Sequence, residues 1–340
     1  MDAKYQKYIL KFKNPSGTSR GILTEKETFF LEISDKDKKG IGECGIFRGL
    51  SYDDIPDYEK KLKWLCENIK KNPEFIRQEL MHYPSIWFGY EQAMINLNQE
   101  KNIYFPSEFT KKKQSIVING LIWMGNVEFI KTQIQEKLNK NFRCIKLKVG
   151  INWDIEKKIL HGIREIFPKE KLEIRVDANG AFSVKNAKIV LDELYDLDIH
   201  SIEQPIKAGN WKDMANLCKC TPTPIALDEE LIGVIDINEK TKLIESINPQ
   251  YIILKPSLIG GFSGTNEWIN LARELKIPYW ITSALESNIG LNAISQYTFT
   301  KISEDQSKMP QGLGTGAIFT NNTKSCLEVQ GDQLWFSTNT

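Results

Sequence analysis

No sign of charge dominates this chain of 340 residues: 45 lysines and arginines stand against 44 aspartates and glutamates, a net charge of +1. Nucleic-acid binders usually carry a basic patch or stripe, so this balance argues against such a partner. Histidine is scarce, with only His82, His161 and His200. The six cysteines (Cys44, Cys66, Cys144, Cys218, Cys220, Cys326) form no CxxC pair. No histidine sits at ligand spacing from Cys218 and Cys220, which argues against a zinc ribbon. Scattered thiols fit free cysteines in a reducing compartment. No stretch approaches the ~18 apolar residues of a membrane span. The opening MDAKYQKYILKFK has charges every few residues and no apolar core of a secretory signal. The expectation is a cytoplasmic protein without a membrane or nucleic-acid partner; self-association stays open. The remaining composition, 41% hydrophobic and 26% charged, is ordinary for a globular chain. At ~100–200 residues per domain, the length gives two domains, or one large barrel with additions.

The first hundred residues read as strands followed by helices. Tyr8–Phe12, Thr28–Ile33 and Gly40–Gly45 have strand character, and the polar stretch Asn14–Lys26 between the first two reads as a loop. Asp53–Glu79 and Gly89–Asn98 have helical spacing. Segregated strands and helices predict an α+β domain. From about residue 114 the rhythm changes. Short β-rich runs recur at 115–119, 144–149, 173–178, 201–205, 224–228, 251–256 and 278–283, with a weak eighth near 312–316. Helical stretches separate most of them, among them 127–138, 154–166, 184–197 and 265–275. Such alternation means βαβ units and a parallel sheet. Seven or eight units predict a (β/α)₈ barrel. An open doubly wound sheet is the alternative, disfavoured because no glycine-rich dinucleotide turn follows the first strand. The last stretch, Lys324–Phe336, reads as two short strands that return to the first domain.

Polar residues stand at the ends of successive strands. They are Lys146 and Lys148 in CIKLKVG, Asp177 in EIRVDANG, Glu203 in SIEQP, Asp228 in PIALDEE and Lys255 in YIILKP. Lys146 and Lys148 are two apart and share a face of their strand. From Lys148 onward the spacings are 29, 26, 25 and 27 residues, one βα unit each. In a barrel, such strand ends converge on one mouth, where active sites form. Three carboxylates at one point repel and raise one another's pKa values. A hard divalent cation removes the conflict, and all-oxygen ligation suits magnesium, with manganese as a substitute. Metal plus a lysine base points to removal of a proton α to a carboxylate. Taken singly, a strand-terminal Asp also reads as a helix N-cap, and a lysine in a strand as an edge residue. A barrel that only binds a ligand or another protein is the remaining class, but it has no need of both lysines and all three carboxylates.

These motifs resemble those of the enolase superfamily, in its muconate-lactonizing-like branch, over nearly the whole chain. Lys146–Lys148 is similar to its KxK motif, RVDANG to its second-strand aspartate motif, IEQP to its glutamate motif, ALDEE to its third-ligand motif and LKP to its opposing lysine. GIGECG near Gly42 and SIWFGYEQA (Ser85–Ala93) resemble capping-domain and interdomain segments. Within the branch, ITSALESNIGL (Ile281–Leu291) is similar to the serine- and glutamate-bearing loop of the o-succinylbenzoate synthases, and Arg175 also matches them. The acidic pair that dipeptide epimerases carry on the eighth strand has no counterpart in PQGLGTGAIF (Pro310–Phe319).

The resemblance implies a modified TIM-like (β/α) barrel over 111–316. It also implies an α+β capping domain over 1–110, to which 317–340 returns. It implies a small-molecule carboxylate substrate and a magnesium-dependent syn dehydration in menaquinone biosynthesis, forming o-succinylbenzoate. An N-succinylamino-acid racemase or dipeptide epimerase on the same scaffold is the alternative. By the same resemblance Lys148 is the base, Lys255 a cation on the opposite face, and Lys146 tunes Lys148. Asp177, Glu203 and Asp228 hold the metal. Arg20, in the first-domain loop Gly17–Arg20, contacts substrate together with Ser283 and Glu286. Arg175, Asn179 and Glu229 support the ligands from behind. Bland readings stand beside three of these assignments: an ion-pair partner for Arg175, a helix cap for Glu229, and an ordinary βα turn for Ser283 and Glu286.

Overall fold

The computed structural model describes residues 1–18, 21–123 and 125–337, and the side chains of all of these except 16–18. Three antiparallel strands open the chain: β1 (Asp2–Thr18), β2 (Gly21–Asp35) and β3 (Lys38–Cys44), in the order β1-β2-β3. Here the structure corrects the loop expected over Asn14–Lys26. β1 and β2 continue into it and stay paired out to Thr18 and Gly21, with a register shift between Lys11 and Ser16. Residues 13–15 and most of 21–25 are exposed. Leu23 packs on the core while its described neighbours are exposed, so the stretch lacks the apolar alternation that signals a strand.

Phe29, Leu31 and Ile33 alternate onto the buried face of β2. Against that face pack α1 (Tyr58–Glu67), α2 (Pro73–Glu79) and α3 (Pro84–Leu97). The helical spacing over Asp53–Glu79 is divided between α1 and α2. Pro73 cannot continue a helix but suits the first turn of a new one. Asn72 caps that turn by accepting from the Glu74 N–H at 2.8 Å. α3 lies backbone to backbone on β3. A Cβ on Gly42 would stand 2.0 Å from the Gly89 carbonyl oxygen, so only glycine fits.

The second half alternates strand and helix. Its elements are β4 (Ile116–Val117), β5 (Gly120–Ile122), α4 (Val127–Asn139), β6 (Cys144–Lys148), α5 (Trp153–Ile166), β7 (Glu173–Asp177), α6 (Val184–Asp196), β8 (Ser201–Glu203), α7 (Trp211–Cys220), β9 (Ile225–Leu227), α8 (Ile237–Ile247), β10 (Tyr251–Leu254), α9 (Gly261–Glu274), β11 (Tyr279–Ile281) and α10 (Asn288–Glu304). Strands β5 to β11 form one parallel sheet in chain order. The weak eighth strand is reduced to single bridges: Gln311 to Ile118 and Gly312 to Thr282. These join the sheet's two ends and complete a barrel. The run expected as one strand over 115–119 serves two sheets. β4 pairs with the chain's last hairpin, and the first stave is β5, just beyond Asn119.

That hairpin is β12 (Leu327–Gln330) and β13 (Gln333–Phe336), and it is β13 that pairs with β4. Ahead of it, the tail runs against β1. The Lys13 N–H donates to the Ile318 carbonyl and the Thr320 N–H to the Lys11 carbonyl, both at 2.8 Å. The tail thus meets the first sheet through residues 318–321, while its hairpin extends β4 beside the barrel.

Strand alternation sorts the barrel's side chains. Ile145, Leu147, Ile174, Val176, Ile202 and Leu227 belong to the large core outside the staves. Ala226, Ile253 and Trp280 form a separate small core inside. Lys146, Lys148, Arg175, Asp177 and Glu203 alternate with the outer set and therefore face the interior.

Candidate active site

Parallel pairing levels the strand ends. Lys148 lies beside Asp177, and Asp177 beside Glu203. One layer down, Lys146 lies beside Arg175, and Arg175 beside Ser201. Beyond the carboxylates the chain turns sharply. Asn179 and Gln204 both have positive φ, 44° and 40°. Non-glycine residues seldom adopt this conformation outside functional turns.

The mouth is a row of buried charges. The Lys148 ammonium donates to Asp177 Oδ2 at 2.8 Å and to Asn179 Oδ1 at 2.6 Å. Lys146 donates to Glu203 Oε2 at 2.7 Å and stands 3.7 Å from Asp177 Oδ2. Lys255 donates to Asp228 Oδ2 and stands 3.7 Å from Glu203 Oε1. The three carboxylates are 1–2% exposed. Burial alone would raise Asp177, but Lys148, Lys146 and Lys255 hold it well below the usual carboxylate range. Burial pushes Asp228 far upward, and repulsion from Glu229, Glu203 and Asp177 adds to it against the pull of Lys255. Burial works to lower Lys255 and Lys146, yet the surrounding carboxylates raise both.

Among the described residues, no three His, Cys, Asp or Glu side chains stand arranged as a ready cation site. The reason is visible: a lysine closes on each of the three carboxylates. The chemistry of the set nevertheless fits a hard divalent cation. Three oxygen donors of like charge are crowded in a dry mouth, and Glu203 Oε1 is buried without a hydrogen-bond partner. An orphaned buried acceptor carries a desolvation penalty that a ligand removes.

The other expected residues divide. Asn179 lies behind the row: its amide donates to Glu229 Oε1 at 2.9 Å while its oxygen holds Lys148. Ser283 lines the cavity at the mouth, with Thr282, Thr315, Asn119 and Trp123. Glu286 does not line it. That side chain is fully buried between two serine hydroxyls, Ser257 at 2.5 Å and Ser283 at 2.7 Å. Arg175 is not brought onto the carboxylates. Its Nε donates to Glu173 at 2.7 Å, its Nη1 to the Pro310 carbonyl at 3.0 Å, and its guanidinium lies 4.3 Å from the Trp280 ring centre, on the barrel's lower floor. Lys146, beside it in the same layer, does reach Glu203, so it is these partners that hold Arg175 away from the mouth. Arg20 lies outside the described residues. One residue escaped the sequence reading. Gln204 Oε1 accepts from the Asp228 and Glu230 N–H groups, both at 3.3 Å, and fixes the turn that carries Asp228. The only signal was its place between Glu203 and Pro205.

Fold and site together define a capped (β/α)-barrel enzyme whose mouth sets lysines against carboxylates. The chain matches the family described as Enolase C-terminal domain-like over residues 130–312. It is 42% identical to the o-succinylbenzoate synthase of Desulfotalea psychrophila strain LSv54, over 99% of each chain. The crystal structure of MenC from the same organism superposes with a TM-score of 0.87 at 40% identity, covering 98% of this chain and 99% of that one. An N-succinylamino acid racemase of Thermus thermophilus is 34% identical over 80% of this chain and 75% of its own length. The chain belongs to the enolase superfamily, and its 42% identity to an o-succinylbenzoate synthase runs over 99% of both chains. Among the described residues, no helix is long and apolar enough to cross a membrane.

Proposed function

We propose that this chain is an o-succinylbenzoate synthase of menaquinone biosynthesis. It would dehydrate 2-succinyl-6-hydroxy-2,4-cyclohexadiene-1-carboxylate. The observation that carries the reading is the order Lys148, Asp177, Glu203, Asp228, Lys255 along the strand ends, in a chain alike to a synthase from end to end. Asp177, Glu203 and Asp228 would hold Mg2+, or Mn2+ in its place, which when bound supplies positive charge where negative charge develops on the substrate carboxylate. Lys148, in its neutral form, takes the proton from C1. The C1–H electron pair becomes the new ring double bond as the C6–O bond breaks. Lys148 then gives its proton to the departing hydroxyl, which leaves as water on the same face. Asn179 aims the Lys148 amine. Lys255, at the other end of the row, stays a cation on the opposite face of the ring, a contact worth about 1–2 kcal/mol when desolvated. Phe47 and Leu50 of the first domain close the cavity on its apolar side and exclude water.

A second reading has support of its own. Lysines at both ends of the row are also what a 1,1-proton transfer needs, so racemisation of N-succinylamino acids is the alternative. The test is product formation from the cyclohexadiene substrate beside deuterium exchange at the α-carbon of an N-succinylamino acid. A chelator should abolish dehydration and added magnesium restore it. Protein that racemises readily but never forms o-succinylbenzoate overturns the synthase reading. Full activity in rigorously metal-free protein overturns the metal assignment.

A further inference from the structure

Glu286 is an odd resident of its position. It is fully buried, yet among the described residues its carboxylate accepts from two neutral hydroxyls and no cation. They bind it to three loops of the mouth. Ser257 stands two residues beyond Lys255, and the Leu258 N–H of the same turn donates to the Lys255 carbonyl at 2.8 Å. Ser283 follows β11. Thr315, from the eighth position, donates to Ser283 Oγ at 3.0 Å. The carboxylate is boxed by backbone: a Cβ on Gly45 would stand 3.1 Å from Glu286 Cγ, and one on Gly290 would stand 2.8 Å from its Cβ. Nearby Glu43, from β3, is satisfied separately. It accepts from Thr28 Oγ1 at 2.8 Å, the Ser287 N–H at 2.9 Å, Ser287 Oγ at 2.5 Å and the Gly290 N–H at 2.9 Å. Two residues before Thr28 on β2, and so on the same buried face, stands Lys26, 6% exposed, whose ammonium makes no hydrogen bond among the described residues. A buried ammonium without a counter-charge is strongly disfavoured, as is a buried carboxylate. Burial works to lower Lys26 while Glu43, Glu286 and Glu27 hold it up; burial raises Glu286 while Lys26 holds it down.

We propose that Lys26 is a positioning residue: it is the capping-domain counter-ion of Glu286, through which the docked sheet fixes the loops that carry Lys255 and Ser283. Neither side chain touches the substrate. Lys26 supplies charge, Glu286 gathers the serines, and the mouth's wall keeps its shape. The inference relies on the proposed synthase reaction only for its activity readout.

The test is a double-mutant cycle of Lys26→Met, Glu286→Gln and the pair, read in kcat/KM and in the thermal midpoint. Lys26→Met alone should lower kcat/KM by about tenfold or more, because it strands a buried carboxylate. Adding Glu286→Gln removes that charge, so the pair should perform within about threefold of Glu286→Gln alone. The midpoint should recover in the same way. If Lys26→Met does not fold, the pair must fold, and an insoluble pair overturns the proposal. Losses that add independently in both readouts overturn it too. Wild-type protein that makes no o-succinylbenzoate sinks the functional reading but leaves the thermal cycle to decide this inference.

Discussion

Asp53→Asn should make the protein's stability less dependent on pH. The Asp53 carboxyl is 0% exposed. Its Oδ2 accepts from the Ser85 N–H at 2.9 Å and Ser85 Oγ at 2.7 Å, at the start of α3. Burial pushes its pKa up from 3.8 to about 6, although the Ser85 donors pull the other way. Below the unfolded value, both states hold the proton and Asp53 costs nothing. Between the two values the unfolded chain releases its proton and the folded one keeps it, so stability falls as pH rises. Above the folded value the loss is complete, about 3 kcal/mol at 1.36 kcal/mol per unit. Asparagine has the shape of the protonated acid and does not titrate. Whatever fixed offset the amide brings, the variant's advantage over wild type should therefore grow with pH. From about pH 4.5 to about pH 8 the growth should reach about 2 kcal/mol, or about 3 °C in midpoint for a chain of this length. Urea and thermal melts of both proteins across that range measure it. Parallel stability curves, with a constant gap, would refute the reasoning.

Lys148→Ala should abolish dehydration, while Lys255→Arg, which keeps a cation but no base near neutral pH, should retain measurable dehydration and lose any racemisation; equal loss of both activities contradicts the roles assigned to the two faces. Asp228→Asn should weaken magnesium binding, read by titration calorimetry, with the far-ultraviolet circular dichroism unchanged; unaltered affinity moves that ligand to Glu229. Gly42→Ala should cost about 3 kcal/mol or more, since its Cβ would meet the Gly89 carbonyl at 2.0 Å and neither backbone is free to yield; a normal melting midpoint would show that α3 can lift off β3. Arg175→Met should lower stability by about 3 kcal/mol through its lost partners and Trp280 stacking, with magnesium affinity unchanged; the reverse pattern would put Arg175 behind the ligands.

The sequence by itself determined the barrel staves and the charges at their ends. Both follow from local rules: a period of two within a strand, and one βα unit of roughly constant length between equivalent positions. Lys146 and Lys148 must share a face whatever surrounds them, and Lys148, Asp177, Glu203, Asp228 and Lys255 recur at a spacing that parallel pairing then levels. The helical spacing misses the break at Pro73 and runs over Asp53–Glu79 as one stretch, although a proline there marks the start of a new helix. Tertiary structure alone decided what depends on a partner far along the chain. Within Asn14–Lys26 the paired residues are mostly exposed, with Leu23 alone of the apolar ones on a core, so no apolar alternation marks the strands. The run at 115–119 splits because one end pairs with β13, more than 200 residues away, and the other leads into the barrel. Ser283 faces the cavity and Glu286 turns into the interior, though both stand in one loop. Arg175 and Asp177 share a face of β7, yet Glu173 and the Pro310 carbonyl draw Arg175 to the floor while Lys146, level with it, reaches the mouth. Asp53 and Lys26 read as ordinary charged residues in sequence, and Glu286 as a substrate contact or part of a βα turn. Only the packing of the first sheet and helices, and of the barrel against them, removes these side chains from water, and burial sets which partners they require.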